Sequence, residues 1–310
     1  MSNKPTLLFI PGAWHLPTCY NKIITILEKQ HDFECDSITL PSTTGSAEAT
    51  FKDDLDTARD AITKHISRGR DVVVVAHSYG GMLANSAIKD FTSSGTSPEP
   101  KAHVTGLILI ASGFTLTGLS FMDPLFHRPP PTWHANRNSG FAELVVPPSS
   151  LFYHDIPNSE AQYHSSQLRP QSLKALFEGG EYAYSGWRDV AWCLYIGTLQ
   201  DRGLPVFLQR MQIGMARAMG AKSVWHVEVN SSHSPFLSRP EEVVGVICAA
   251  IEGGGTGDAE VLKMGREVWA PRVRLGSPGS WFQYGVPLAF GMVIGKAVLI
   301  FEWCKKVWAR

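Results

Sequence analysis

Asp71-Val72-Val73-Val74-Val75-Ala76-His77-Ser78-Tyr79-Gly80-Gly81 is the stretch on which the fold turns. Valine is β-branched and favours strands. Four valines in a row, with no polar alternation, imply cover on both faces, as in a parallel sheet. The spacing then turns helical over 79–91. A buried strand that runs straight into a helix forces the residue between them into a tight turn and lifts its side chain above the sheet. Ser78 is that residue. Ala76 and Gly80 lie two before and two after it, small enough for such a turn: a G-x-S-x-G variant with Ala first. The positive end of the following helix points at the same place. The alternative is that Ser78 merely caps the helix beginning at Tyr79, since Ser is a favoured cap.

Working outward, the same alternation recurs on both sides. Residues 6–10 (Thr-Leu-Leu-Phe-Ile) form an apolar run stopped by Pro11-Gly12, a buried strand ended by a turn. Helical spacing is predicted over 18–30 and 50–67, strands over 33–39 and 103–112. The pattern resumes with strands at 190–199 and 222–230 and helices at 203–219 and 236–251. Alternating strands and helices define an α/β class with a mostly parallel sheet flanked by helices. Between them, 114–188 is rich in proline, aromatics and histidines and shows no buried strand. It reads as an inserted cap, with Phe126, Trp133, Phe152 and Tyr153 available to line a pocket; the plainer reading is an irregular surface excursion. The expected organisation is a core of 1–113 and 189–253, a cap of 114–188, and a linker plus apolar helical tail over 254–310.

Bulk composition narrows the class. The chain has 310 residues, 44% hydrophobic and 18% charged, which is globular usage. Its formal net charge is zero, so nothing favours a nucleic-acid partner. The five cysteines are scattered, with neither a CxxC pair nor metal-like spacing. No metal or cofactor is expected. Four apolar residues before Pro11 are too few for a signal-peptide core, so an intracellular, cytoplasmic setting is the expectation.

A serine hydroxyl needs a base. Among eleven histidines, His233 has the best context. It follows the strand at 222–230 within Asn230-Ser231-Ser232-His233-Ser234-Pro235-Phe236, at a strand end where open α/β sheets put ligand chemistry. The plainer alternative for it is a surface loop histidine. His77 is adjacent to Ser78 but points away from it, which suits a structural role. His15 could face the pocket. His127, His134, His154 and His164 belong to the cap, as substrate contacts or surface residues. The acid that orients the base should lie between Ser and His in chain order. Asp201 fits, in a loop after the strand at 190–199; the alternative for it is a surface salt bridge with Arg202. Its competitor Asp189 precedes that strand and would sit at the wrong edge. An oxyanion needs two N–H donors. Tyr79 supplies one, and Ala13, in the Pro11-Gly12-Ala13-Trp14 turn, the other; otherwise this is an ordinary Pro-Gly turn.

Phe9-Ile10-Pro11-Gly12-Ala13-Trp14, Ala76-His77-Ser78-Tyr79-Gly80-Gly81, Asp201-x-x-x-Pro205 and Ser232-His233-Ser234-Pro235-Phe236 together resemble the α/β-hydrolase superfamily over residues 5–251. The likeness is closest to the methylesterase and hydroxynitrile lyase branch with its fungal and bacterial relatives. It implies an α/β-hydrolase fold and hydrolysis of a carboxylic ester, thioester or lactone of a small to medium-sized substrate. Many such relatives serve secondary-metabolite pathways. Two positions depart from the branch. Pro11 stands where relatives carry His before the glycine, which is tolerable where only backbone donates. Ser234 stands where the lyases carry Lys, which weakens the cyanohydrin-lyase reading. A lyase or cyclase using the same three residues as acid and base stays open. So does a ligand-binding receptor on a hydrolase scaffold.

The tail differs in character. After Gly253-Gly254-Gly255, residues 256–310 hold eight Lys/Arg against four Asp/Glu. Gly291-Met292-Val293-Ile294-Gly295 places GxxxG in an apolar segment, a spacing that lets membrane helices approach closely. Pro287 and Lys296 interrupt it. Lys305, Lys306 and Arg310 would suit an anionic surface. Through 281–303 the segment either contacts a membrane or packs on the body or on a second subunit.

Overall fold

A computed structural model of the chain describes residues 4–93, 102–220, 224–254 and 268–308. Along the chain come β1 (Thr6–Ile10), α1 (Asn21–His31), β2 (Cys35–Ser37), α2 (Phe51–Ile66), β3 (Val72–His77), α3 (Tyr79–Ala87) and β4 (Val104–Ile110). An insertion follows, holding β5 (Trp133–Asn136), β6 (Phe141–Leu144), α4 (Pro148–Phe152), α5 (Asn158–Gln167), β7 (Gln171–Ser172) and α6 (Leu173–Phe177). The core resumes with β8 (Trp192–Thr198), α7 (Val206–Ala218), β9 (Val224–Val229), α8 (Pro235–Ser238) and α9 (Pro240–Glu252). Last come β10 (Val268–Trp269), α10 (Pro278–Ser280) and, after a π-turn at Trp281–Gly285, α11 (Val286–Trp308).

The seven-stranded sheet runs β10-β9-β8-β4-β3-β1-β2. Every pairing is parallel except β10 with β9. From β1 the chain steps outward to β2 and then returns to β3 on the other side. That reversal leaves a crevice at the carboxyl ends of β1 and β3, where such sheets place ligands. Val72 and Val74 face one buried layer, with Leu55 and Ile62 of α2 and Leu83 of α3. Val73 and Val75 face the other, with Ile23 and Leu27 of α1 and Val243 and Ile247 of α9. Both faces are covered, which is why the strand needs no polar alternation.

Several boundaries differ from the sequence reading. The strand expected over 33–39 is only Cys35–Ser37, an edge strand with half-buried residues. The helix expected over 79–91 ends at Ala87. That over 236–251 breaks at Arg239, just before Pro240; a residue preceding proline is disfavoured in the helical region. Residues 222 and 223, at the start of the strand expected over 222–230, and most of the expected linker lie outside the described residues. The insertion also holds a three-stranded antiparallel sheet, β5-β6-β7, where no buried strand was expected. Only Trp133 and Ala142 in its first two strands are buried, and segments this short carry no readable period.

The tail belongs to the body. β10 pairs antiparallel with the outer edge of β9, and α11 lies along α7. A Cβ added to Gly291 would fall 1.8 Å from the Met211 carbonyl oxygen, and one on Gly214 would fall 2.1 Å from that of Leu288. The GxxxG spacing therefore serves contact between two helices of the same chain. Arg210 clamps the entry to this helix. It is bonded to buried Glu228 of β9 at 2.7 and 2.9 Å, donates to the Gln283 carbonyl at 2.8 Å, and lies over the Tyr284 ring. By length and composition Pro278–Trp308 is apolar enough to cross a membrane, with a mean hydropathy of 1.8 over its most apolar window, and only 17% of that window is buried, unlike a helix inside a core.

Candidate active site

Ser78 stands between β3 and α3 with φ 51° and ψ −124°. A side chain other than glycine held at positive φ costs about 1–3 kcal/mol. The surrounding structure imposes it. The Ser78 N–H donates to the Ile110 carbonyl, while its own carbonyl accepts from Ser112 Oγ at 2.6 Å and from the Gly81 N–H. Close approach also dictates the flanking glycines. A Cβ on Gly80 would lie 2.4 Å from the Pro11 carbonyl oxygen, and one on Gly81 would lie 1.9 Å from Ser112 Oγ. The Ser78 side chain makes no capping bond to α3. The cap alternative is thereby set aside, and the hydroxyl projects from a half-buried turn.

His233 follows β9, and Asp201 follows β8. His233 Nδ1 and Asp201 Oδ2 are 2.7 Å apart. A carboxylate only accepts, so Nδ1 carries the proton and Nε2 is the basic nitrogen. Four further donors hold Asp201. Thr198 Oγ1 at 2.7 Å and Gln209 Nε2 at 3.1 Å reach Oδ2; the Gly203 and Leu204 N–H groups, at 2.8 and 2.7 Å, reach Oδ1. Both side chains of the pair are buried. Arg202 bonds instead to Ser150 of the insertion, so the surface salt bridge considered for Asp201 does not form. Asp189 precedes β8, as expected, and accepts from the Tyr184 hydroxyl. No hydrogen bond joins Ser78 Oγ to His233 among the described residues. Contacts of this kind often tighten only when substrate binds.

The Pro11-Gly12-Ala13 turn abuts the serine: a Cβ on Gly12 would fall 3.0 Å from Ser78 Cβ. The Trp14 N–H is taken by Gln171 Oε1 of the insertion, and Trp14 Nε1 donates to the Ala142 carbonyl. Tyr79 opens α3, so its N–H has no intrahelical acceptor. Ala13 and Tyr79 thus lie on either side of Ser78, on the turn and on the helix that meet there.

Three further side chains support the site, of which sequence reasoning left His15 open and Asp54 unassigned. His15 Nδ1 donates to the Ala13 carbonyl at 2.8 Å, and its Nε2 accepts from the Tyr153 hydroxyl at 2.8 Å. Burial pushes His15 down to about 4, so the ring is neutral and locked as one tautomer. His77 is structural, as expected. Its Nε2 donates to the His233 carbonyl at 3.0 Å, and burial holds its pKa well below the ordinary value. Asp54 of α2 accepts from the Tyr79 hydroxyl at 2.9 Å and from Ser42, and burial raises it to about 6. A signal for Asp54 existed: it interrupts the apolar stripe Phe51, Leu55, Ala58, Ile62.

The insertion closes over this edge. The Phe152 ring lies 5.4 Å from that of His233, and Trp14 meets Phe152 and Trp133. Ser232 is tied to the Phe152 carbonyl and to Asp155. Phe126, expected to line a pocket, is instead 83% exposed. It follows a short 3-10 turn, Asp123–Leu125, with φ 51°. His127, His134 and His164 pair with Asp123, Glu143 and Glu160 within the insertion. Among the described residues no cluster of His, Cys, Asp and Glu could hold a metal ion.

A profile of the alpha/beta hydrolase family matches residues 7–246. The chain belongs to that family, and it is a hydrolase. A curated relative, alpha/beta hydrolase nvfD of Aspergillus novofumigatus (strain IBT 16806), is 28% identical over 79% of this chain and 95% of its own length. Among solved structures, polyneuridine aldehyde esterase superposes with a TM-score of 0.61 at 17% identity, covering 79% of this chain and 98% of its own. Methylesterase MES16 from Arabidopsis gives 0.59 at 18% identity, covering 80% and 99%. At these identities the two structures show the shared fold.

Proposed function

We propose that the protein is a serine hydrolase that cleaves a carboxylic ester, thioester or lactone of a small to medium-sized substrate through an acyl-enzyme. The observation that carries this reading is the pair Asp201–His233, delivered by the ends of β8 and β9 to the crevice edge where Ser78 is held at positive φ. Ser78 Oγ attacks the acyl carbon as His233 Nε2 takes its proton. Asp201 keeps the ring in the required tautomer and stabilises the imidazolium that forms. The N–H groups of Ala13 and Tyr79 receive the oxyanion. His233 then returns the proton to the leaving oxygen or sulfur. Water, activated by the same imidazole, attacks the acyl-enzyme and frees the acid. The aromatic wall of Trp14, Trp133 and Phe152 beside His233 supports an uncharged, apolar substrate. The resemblance to fungal relatives supports one drawn from secondary metabolism.

The test is covalent. A fluorophosphonate probe should label the wild-type chain on Ser78, and Ser78→Ala should fold normally and take no label. A p-nitrophenyl ester series of graded chain length should leave an acyl adduct on Ser78 detectable by mass spectrometry. Equal labelling of Ser78→Ala would reject the assignment.

A further inference from the structure

The family match ends at residue 246, and α11 lies beyond it. This helix has two unlike sides. Pro287, Gly291 and Gly295 are buried against α7, with Leu288, Ile294 and Val298 packed beside them. The opposite side carries Val286, Phe290, Val293, Ile300 and Phe301, which are between 42% and 69% exposed. Trp281 and Phe282 extend the exposed surface before the helix, and Trp303 and Trp308 extend it at the far end. An apolar patch of this size on a soluble body marks an interaction surface.

Charge and aromatic placement choose the occupant. The helix carries Lys296, Glu302, Lys305 and Lys306. Glu302 is turned inward to Arg188 at 3.3 Å. Among the described residues no carboxylate pairs with any of the three lysines, and all three are exposed. Tryptophans at both ends of an apolar face, with lysines that can extend past it, match a headgroup boundary. A second copy fits less well. A two-fold interface over this face would bury Lys296 with no acid to answer it, and interface centres are depleted in lysine. Crossing a bilayer fits worst, because α11 would have to leave α7 and open the backbone contacts at Gly214, Gly291 and Gly295.

We propose that α11 seats this hydrolase in the plane of a membrane surface that carries anionic lipid. The outward face dips into the headgroup–acyl boundary while the glycine stripe stays on α7. This inference does not rest on the acyl-enzyme reading, because no residue of the site takes part.

The test uses the full chain and two kinds of vesicle: phosphatidylcholine alone, and phosphatidylcholine with about a third phosphatidylserine. Wild type should co-sediment with the mixed vesicles, more weakly with the neutral ones, and should be released by alkaline carbonate. The double substitution Val293→Asp/Ile300→Asp should lower partition onto mixed vesicles by about a hundredfold with an unchanged melting temperature. Lys296→Gln/Lys305→Gln/Lys306→Gln should weaken binding to mixed vesicles only, by about fivefold per charge removed. Wild type that stays in the supernatant with both vesicles would overturn the proposal. So would resistance to carbonate. A lipid-free dimer that the Asp pair dissociates would also overturn it and assign the face to a second copy.

Discussion

Two regions of this molecule use the same device for opposite ends. At the crevice, Gly12, Gly80 and Gly81 let the β1 turn, the start of α3 and Ser112 close on one another at distances that no Cβ permits. Between α7 and α11, Gly214, Gly291 and Gly295 do the same for two helix backbones. At the first, the close approach over-determines the backbone and holds Ser78 in a conformation it would not adopt alone. At the second, nothing is strained: among these three glycines none has positive φ. The glycines simply let one helix lie flush and leave its other side uncovered. Missing side chains hold a strained backbone turn in one place and a flush pair of helices in the other.

Substitutions can break the comparison. The largest effect is expected at the crevice: Ser78→Ala should lower kcat by about 10⁶-fold and Asp201→Asn by about 10⁴-fold, measured on a reporter ester. Gly80→Ala pushes a methyl into the Pro11 carbonyl. It should cost about 3 kcal/mol in urea unfolding and at least about a hundredfold in kcat. A pH series sharpens the crevice side. His15 titrates at 6.5 when unfolded but near 4 in the fold, so between those values the unfolded chain binds more protons. Stability is complete above pH 6.5 and falls on acidification towards 4. His77 and His226, also depressed by burial, act in the same direction. Asp54, raised from 3.8 to about 6, acts oppositely: its contribution is complete below 3.8 and lost as pH rises through 6. His15→Gln should therefore flatten the acid limb of the unfolding free energy by about 3 kcal/mol. Gly291→Ala tests the other region. It should cost about 1–3 kcal/mol yet leave kcat within about twofold; a hundredfold loss would show that the two regions are coupled. The smallest effect is expected for Tyr153→Phe. Losing one buried hydrogen bond to His15 should cost about 1 kcal/mol and lower kcat several-fold by loosening the Ala13 turn.

Much of this was legible in the residues. Four valines announced a strand covered on both faces, and β3 is central and buried. Asp201 and His233 were readable because each follows a strand, and the ends of β8 and β9 lie side by side. The supporting side chains were harder. Tyr153 reaches His15 across 138 residues, and no periodicity encodes such a contact. The insertion resisted reading because its strands are two to four residues long, too short to show a period, and β7 joins β6 from some thirty residues further along the chain. GxxxG in the tail was ambiguous for a related reason. Small residues at that spacing specify close approach, but not whether the neighbour is another membrane helix or α7.

The two residues of β10 carry a consequence for anyone who would shorten this protein. β9 has β8 on one side and, at Glu228 and Val229 only, β10 on the other, so a chain cut after Gly253 would lengthen the unpaired outer edge of β9 by those two residues. The same cut would uncover the side of α7 around Met211 and Gly214 that α11 shields. Bare sheet edges recruit other bare edges. Such a fragment would be expected to self-associate through main-chain pairing whether or not lipid is present. The tail is in that sense a built-in guard against aggregation, and point changes on its outer face probe it more cleanly than its removal.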